Sequence, residues 1–151
     1  MKRQVRKNVF ETNSSSVHSL SISRAGLEPS RLLKDKDNNI VTDFGSFGKD
    51  LCLYNSQEEK LSYLMTCLAY MSNDFGNTEG VYNSYNFESI ENAICEYAGA
   101  DGIKILGYVD PEIDHQSIPY DSSDMIINIW DEDEIVNFVF NKHISLKTDC
   151  D

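Results

Sequence analysis

The alternation of apolar and polar positions predicts two strands near the amino terminus. From Val17 onward, His18, Leu20 and Ile22 fall on one side and serines on the other, which is the period of a half-buried strand. A first strand is expected at about residues 3–10. The residues between them, 12–16, read TNSSS, and such side chains bond to their own backbone. We therefore expect a tight turn or bulge that leads into a strand with His18 facing the core.

Three longer segments have the spacing of an amphipathic helix. Ser56 followed by Glu59 forms a capping box before leucines at helical spacing, which predicts a helix over 57–71. A second helix contains Ile90 to Tyr97 and ends at Gly99, because glycine favours the left-handed cap conformation. A third is expected over 132–141, with Asp131 and Glu134 at its amino-terminal cap.

The remaining pattern predicts short elements and loops. Pro29 predicts a short helix over 29–36, because proline is favoured at the first helical position. Residues 73–86 are expected to form a long surface loop. The FGSFG segment (44–48) is either a strand end with a glycine kink or a functional loop. Further strands are expected at 40–44, 103–109, 125–130 and 143–148. Together these elements predict a single α+β domain over residues 1–151, with a mostly antiparallel sheet and about three helices packed mainly on one face.

Charge is unevenly distributed along the chain, and it changes which partners are plausible. The net charge is −12. Residues 1–36 carry eight Lys or Arg against three acids, whereas residues 110–151 carry eleven acids against two lysines. An acidic surface repels phosphates, which argues against direct nucleic-acid or membrane binding and favours a basic protein partner. No apolar run reaches the length of a membrane span, so the expected location is the cytoplasm.

Histidine and cysteine are scarce, but a metal site remains one of the alternatives. The four cysteines show no CxxC pair, so reduced thiols are expected. His18, His115 and Cys95 could complete a zinc shell if the fold brings them together. Their spacing is not that of a zinc motif, so zinc is a possible cofactor and none is required.

A small hydrolase, metal-dependent or serine-based, is the alternative from the enzyme class. One of Ser14, Ser15 and Ser16 would be the nucleophile, His18 or His115 the base, and Asp114 would orient that base. A serine nucleophile also needs an oxyanion hole, and the sequence has no GxSxG elbow to frame one.

Acidic residues in the carboxyl-terminal part could imitate the phosphates of a nucleic acid. Duplex DNA carries about one charge per 1.7 Å, so a mimic needs several carboxylates on rigid elements. A capped helix with flanking loops meets that need. The candidate partner-binding residues are Asp110, Glu112, Asp114, Asp121, Asp124, Asp131, Glu132, Asp133 and Glu134.

Four short blocks carry a resemblance to known proteins. VFETNSSSVHS, FGSFG, DHQS and NFVFNKHISL together resemble a group of small proteins that recur in bacteriophages and prophages of low-GC bacteria. Lys49 stands where the group would have a Trp after its second block. In size and charge the chain also looks like anti-CRISPR proteins, whose target nucleases hold nucleic acid in positively charged channels.

These observations lead to one main hypothesis. We expect a non-enzymatic phage inhibitor that acts in the cytoplasm of the infected host. It would bind a basic surface of a defence nuclease, a CRISPR effector above all, and hinder nucleic-acid loading. The hydrolase and a structural or assembly protein of the phage stay open as alternatives.

Overall fold

In the described part of the chain, the fold is built around helices whose ends are set by local capping. In the computed structural model, residues 9–11, 25–48, 52–72, 77–114 and 118–148 are described, with residues 9–11 as backbone only. Helix α1 spans Gln57–Met71, which confirms the expected range. Ser56 Oγ accepts a hydrogen bond from the Glu59 amide at 3.1 Å and donates one to the Glu59 carboxylate at 2.8 Å, as a capping residue should.

The later helices also follow their capping signals. Helix α2 (Thr78–Tyr82) begins after Asn77, and helix α3 (Tyr85–Ala98) begins after Ser84. Gly99 ends α3 with φ of 67°, which confirms its predicted left-handed cap. Helix α4 (Glu132–Phe140) begins at the expected residue, after Asp131.

The strands within the described ranges are short and lie in three small sheets. Strand β1 is Val9–Glu11, β2 Asn39–Thr42, β3 Ser46–Phe47, β4 Cys52–Tyr54, β5 Gly102–Ile105, β6 Glu112–Ile113 and β7 Ser145–Thr148. Among the described residues, β1 pairs with β7, β2 with β5 and β3 with β6, all parallel, and β4 pairs antiparallel with β7. The protein is therefore mixed α+β, while the mostly antiparallel sheet is matched only in part.

The expected helix over 29–36 is wrong, because this segment is the first arm of a hairpin. The Val41 amide donates to the Leu33 carbonyl and the Asp35 amide donates to the Asn39 carbonyl, each at 2.9 Å. Asp35 Oδ1 accepts from the amides of Asp37 and Asn39 and so closes the turn. A side chain that bonds to its own backbone in this way competes with helix formation.

Three other predicted elements also differ from the structure. Residues 125–130 do not form a strand. They follow a 3₁₀ turn, Ser122–Asp124. Within them, Asn128 Oδ1 accepts a hydrogen bond from the Trp130 amide and so starts a second turn. The loop predicted at 73–86 contains α2. The strand predicted at 103–109 stops at Ile105, since the amides of Gly107, Tyr108 and Val109 donate to the Asp43 carboxylate.

One cluster of buried side chains connects these elements. Helix α1 lies at its centre, with Leu61, Leu64 and Met65 fully buried, and α3 and α4 pack beside it through residues such as Ile94 and Phe138. The turn predicted at 12–16 and the strand predicted at 17–23 lie outside the described residues.

Candidate acidic docking surface

The acidic run at the start of α4 is divided between structural and exposed carboxylates. Asp131 Oδ1 accepts hydrogen bonds from the amides of Asp133 at 3.0 Å and Glu134 at 3.3 Å, so it caps the helix. Glu134 accepts from the Asn128 amide at 3.0 Å. Burial, together with the nearby Asp131 carboxylate, raises the pKa of Glu134. Glu132 and Asp133 are exposed to solvent.

Helices α3 and α4 run side by side and form a groove. Ser89 Oγ donates to the Ile129 carbonyl just before α4, and the Tyr97 ring stacks on Phe140 at the far end of both helices, with ring centroids 4.4 Å apart. The two helices therefore run in roughly the same direction. The groove between them has a volume of about 200 Å³.

The walls of this α3–α4 groove combine apolar and acidic side chains. Leu27, Ala93 and Val136 supply apolar surface. Glu96 from α3 and the exposed pair Glu132 and Asp133 from α4 line the same groove. Among the described residues that line it, none is Lys or Arg.

Two further predicted acids lie on the 3₁₀ turn near the start of α4. Asp121 accepts hydrogen bonds from the side chain and amide of Ser123, which lower the pKa of Asp121, and Asp124 accepts from the Tyr120 amide at 3.0 Å. The Trp130 indole donates to Ser122 Oγ at 3.4 Å. This contact places the 3₁₀ turn beside the acidic end of α4, so both carboxylates are exposed on the same part of the molecule.

The other three predicted acids belong to the β3–β6 pair. Glu112 accepts from Ser46 Oγ at 2.8 Å, and Asp110 is exposed just before β6. Asp114 packs against Gly48, whose φ of 92° favours glycine and where a Cβ atom would overlap the Asp114 carboxylate. The FGSFG segment therefore carries a short strand and a glycine kink, and it packs against the Asp110–Asp114 segment.

The acidic character extends over most of the carboxyl-terminal half. Between positions 77 and 141 the sequence has fourteen acidic residues and one lysine, Lys104. Trp130 lies within this region with 57% of its surface exposed. An exposed indole provides apolar contact area, and tryptophan is enriched at protein interfaces.

Of the three predicted zinc ligands, only Cys95 lies among the described residues. Cys95 is buried in α3, and burial, together with the carboxylates of Glu91 and Asp101, raises the pKa of its thiol to about 11. Zinc binds thiolate, so this environment opposes ligation. Within the described ranges, no three His, Cys, Asp or Glu side chains are grouped to hold a metal ion. His18 and His115 lie outside those ranges, so zinc stays a prediction.

The residues of the serine-nucleophile alternative lie mostly outside the described part of the chain. Ser14, Ser15 and Ser16, with both candidate bases, lie outside it. Only Asp114 of that arrangement is described, and its position is set by the β3–β6 pair.

Sequence reasoning missed Glu96, which lines the same groove as Glu132 and Asp133. The signal was present, because Ala93, Glu96 and Tyr97 follow the spacing of one helical face. The sequence pattern does not show which helix packs against this face of α3. Which helix packs beside α3 depends on contacts about forty residues away in the chain, such as Ser89 with Ile129.

None of the helices in the described part of the chain has the length and apolarity of a bilayer span. Comparison with family models, curated proteins and solved structures gave no match to this chain, so its function is inferred from its own residues.

Proposed function

We propose that this protein is a non-enzymatic inhibitor that binds a basic surface of a nuclease through the acidic end of α4. The binding surface comprises Glu132 and Asp133, Glu96 across the groove, and Asp121 and Asp124 on the adjoining turn. Carboxylates in these positions would occupy the sites that phosphates take in a positively charged channel and so hinder nucleic-acid loading.

The observation that carries this proposal is the convergence of acids from three separate elements on one surface. Helix α3, the 3₁₀ turn and α4 each contribute exposed carboxylates there. Several are held in fixed positions, since Asp121 and Asp124 accept backbone hydrogen bonds. Fixed carboxylates lose less conformational entropy on binding than mobile ones, which favours an electrostatic interface.

The proposed partner is a CRISPR effector nuclease, and the proposed setting is the cytoplasm of a bacterium infected by a phage. This part of the proposal draws support from the phage-like sequence blocks and from the size and charge that the chain shares with anti-CRISPR proteins. Effectors of the Cas9 type hold nucleic acid in a basic channel and read a short DNA motif through arginines. Both features suit an acidic competitor.

Charge reversal at the exposed pair tests the proposal. The assay measures how strongly the protein inhibits cleavage of target DNA by a purified, guide-loaded Cas9-type effector. The inhibition constant of the Glu132→Lys, Asp133→Lys double variant should rise about tenfold or more. This change corresponds to a loss of at least about 1.4 kcal/mol of binding free energy. Asp131 and Glu134 are left intact because both hold backbone amides, and their reversal would confuse loss of binding with loss of folding. Cleavage is measured together with the fluorescence anisotropy of labelled target duplex, which follows nucleic-acid loading onto the effector.

A matched control is the Glu58→Lys, Glu79→Lys double variant. Both residues are exposed acids in the first turn of a helix, so net charge and helix-dipole effects change by the same amount as in the test variant. This control should inhibit like the wild type. Equal loss in the two variants, or wild-type protein that leaves cleavage by the effector unchanged, would contradict the proposal.

A further inference from the structure

We propose that Trp130 is the aromatic anchor of the docking surface and that its indole ring receives an arginine side chain of the basic partner. This inference rests on the proposed function and deepens it, because it adds one aromatic contact to a surface described so far by its charge. The guanidinium would stack on the indole ring through a cation–π interaction.

Trp130 lies on a closed turn formed by residues 128–131. The Asp131 amide donates to the Asn128 carbonyl at 3.1 Å, and the Trp130 amide donates to Asn128 Oδ1 at 3.0 Å. A side chain that bonds to the backbone two residues later stabilises such a turn locally. The backbone that carries the indole is therefore fixed by its own sequence.

Both helices beside this turn hold it in place. Glu134 of α4 accepts a hydrogen bond from the Asn128 amide at 3.0 Å, and Ser89 of α3 donates one to the Ile129 carbonyl. The Ile129 side chain is fully buried and ties the turn to the core. A large aromatic side chain on a fixed turn loses little conformational entropy when a partner binds.

Folding does not explain why this position is a tryptophan. The turn uses the amide of residue 130, which any residue except proline provides. The indole N–H donates to Ser122 Oγ at 3.4 Å, which is a long hydrogen bond, and 57% of the Trp130 surface is exposed. Tryptophan is among the residues that contribute most binding energy at protein interfaces, so a partner accounts for it better.

Charge indicates which kind of partner group contacts this ring. Ser122, which accepts from the indole, directly follows Asp121 in the chain, and the exposed Glu132 lies two positions after Trp130. A second copy of this chain is a poor occupant, because two surfaces of the same negative sign repel each other. A cation suits the ring, since an aromatic face attracts positive charge and tryptophan does so best.

Arginine fits this position better than lysine. A planar guanidinium can stack on an aromatic ring while its N–H groups pair with a carboxylate. The lysine ammonium is a compact and strongly hydrated charge that loses more water to make the same contact. We therefore expect the ring to discriminate between the two cations.

The first test uses the full chain without a nuclease. Because Trp130 is the only tryptophan of the chain, biosynthetic incorporation of 5-fluorotryptophan labels this ring alone, and its ¹⁹F NMR signal reports contact there. The probes are acetylated, amidated tetrapeptides of arginine, of lysine and of citrulline, the neutral isostere of arginine, in 150 mM NaCl. The arginine peptide should shift the signal saturably and bind several-fold more tightly than the lysine peptide, and the citrulline peptide should leave the signal unchanged.

The second test separates a cation–π contact from apolar contact by replacing the ring. Trp130→Phe should raise the inhibition constant against the effector about threefold, and Trp130→Leu and Trp130→Ala should each raise it about tenfold or more. Leucine keeps apolar area but has no π face, so it should rescue little of the loss. Melting temperatures should change little, because the side chain is largely exposed.

The control variant is Tyr108→Ala. Tyr108 is another exposed aromatic residue, with 84% of its surface accessible, and its amide is held by the Asp43 carboxylate rather than by the turn at 128–131. The control should inhibit like the wild type. Equal losses in Tyr108→Ala and Trp130→Ala would show that exposed aromatic area in general, and not this ring, makes the contact.

Three further results would overturn the inference. Arginine and lysine peptides could move the ¹⁹F signal equally, which would show attraction to net charge alone. Trp130→Leu could inhibit like the wild type, which would make the occupant an apolar pocket. Finally, the ¹⁹F signal could change with protein concentration in the absence of peptide, which would make a second copy of the chain the occupant.

Failure here is distinguishable from failure of the proposed function, because the peptide assay contains no nuclease. If Trp130→Ala inhibits like the wild type while Glu132→Lys, Asp133→Lys relieves inhibition, the ring is not the anchor and the inhibitor function stands. If the peptides contact the ring as expected but wild-type protein leaves cleavage unchanged, the arginine site stands and the nuclease is the wrong partner.

Discussion

At the scale of single residues, Lys60 is the most unusual group in the described structure. Only 1% of its surface is exposed, yet it lies in the first turns of α1, where exposed charges are common. Its ammonium donates to the carbonyls of Asn141 at 3.1 Å and Ile144 at 3.0 Å, just beyond the end of α4. A cation is favourable at a helix carboxyl terminus, but burial lowers the pKa of Lys60 to about 8.

This lowered pKa predicts a rise in stability at alkaline pH. Unfolded protein would hold the Lys60 proton up to about pH 10.4. Between about pH 8 and that value the unfolded state therefore binds more protons than the folded state, so the free energy of unfolding increases with pH by at most about 1.4 kcal/mol per unit. Urea denaturation at pH 7.5 and 9 should show the wild type gaining about 1 kcal/mol relative to Lys60→Met.

The comparison with Lys60→Met is needed because other groups act in the opposite direction. Burial raises the pKa of the Cys67 and Cys95 thiols to about 12 and 11, so unfolded thiols lose their protons first and stability falls above about pH 9. That loss is common to both proteins and cancels in the difference. A difference in unfolding free energy that does not change with pH would show that Lys60 remains protonated in the fold.

At the scale of elements, the three longer helices were predictable, whereas the short α2 and the sheets were not. Helix α1 is specified by nearby residues, since its capping box and apolar spacing lie within the helix. The strands have two to four residues, and each pairs with a distant one, as β2 does with β5. A period-two pattern cannot be established over so few positions, and it contains no information about the partner strand.

Asp43 shows how a remote contact can override a local pattern. Residues 103–109 are apolar enough to suggest one continuous strand, but the Asp43 carboxylate accepts hydrogen bonds from three successive amides, those of Gly107, Tyr108 and Val109. Because these three amides donate to Asp43, they do not form the backbone hydrogen bonds of a strand. Because Asp43 is more than sixty positions earlier in the chain, no local window could have located the end of β5.

The cap of α4 gives an element-scale prediction. Asp131→Ala removes the acceptor for two amides and should lower the free energy of unfolding by about 0.5–2 kcal/mol. Glu132→Ala removes an exposed carboxylate from the same turn and should cost less than about 1 kcal/mol, the upper range of a dipole interaction. Chemical denaturation of both variants provides the comparison. Equal losses would mean that Asp131 acts through its charge rather than as a cap.

At the scale of the whole molecule, the acidic character of the sequence becomes an organised surface. The composition indicates the sign of the charge, and the run at 131–134 indicates its position. The fold divides that run into two residues that hold backbone amides and two that face solvent. It then adds Glu96 from another helix. The negative sign of the surface was therefore predictable, but the residues that compose it depend on the packing of α3 against α4.

This organisation predicts how binding should respond to salt. Exposed charges attract over a distance set by screening, about 10 Å at 0.1 M and 3 Å at 1 M ionic strength. If the acidic surface steers association with a guide-loaded effector, raising NaCl from 50 to 500 mM should slow association about tenfold or more and change dissociation much less. Surface plasmon resonance at four salt concentrations resolves the two rates.

The double variant Glu132→Lys, Asp133→Lys makes this measurement decisive. Its association rate should be lower at 50 mM NaCl and should depend less on salt, so that the wild type and the variant converge near 500 mM. Convergence follows because screening removes the attraction that the variant already lacks. If the wild-type association rate is the same at both salt concentrations, contact with the effector is made by uncharged surface such as Trp130, and the carboxylates at the start of α4 serve only the helix.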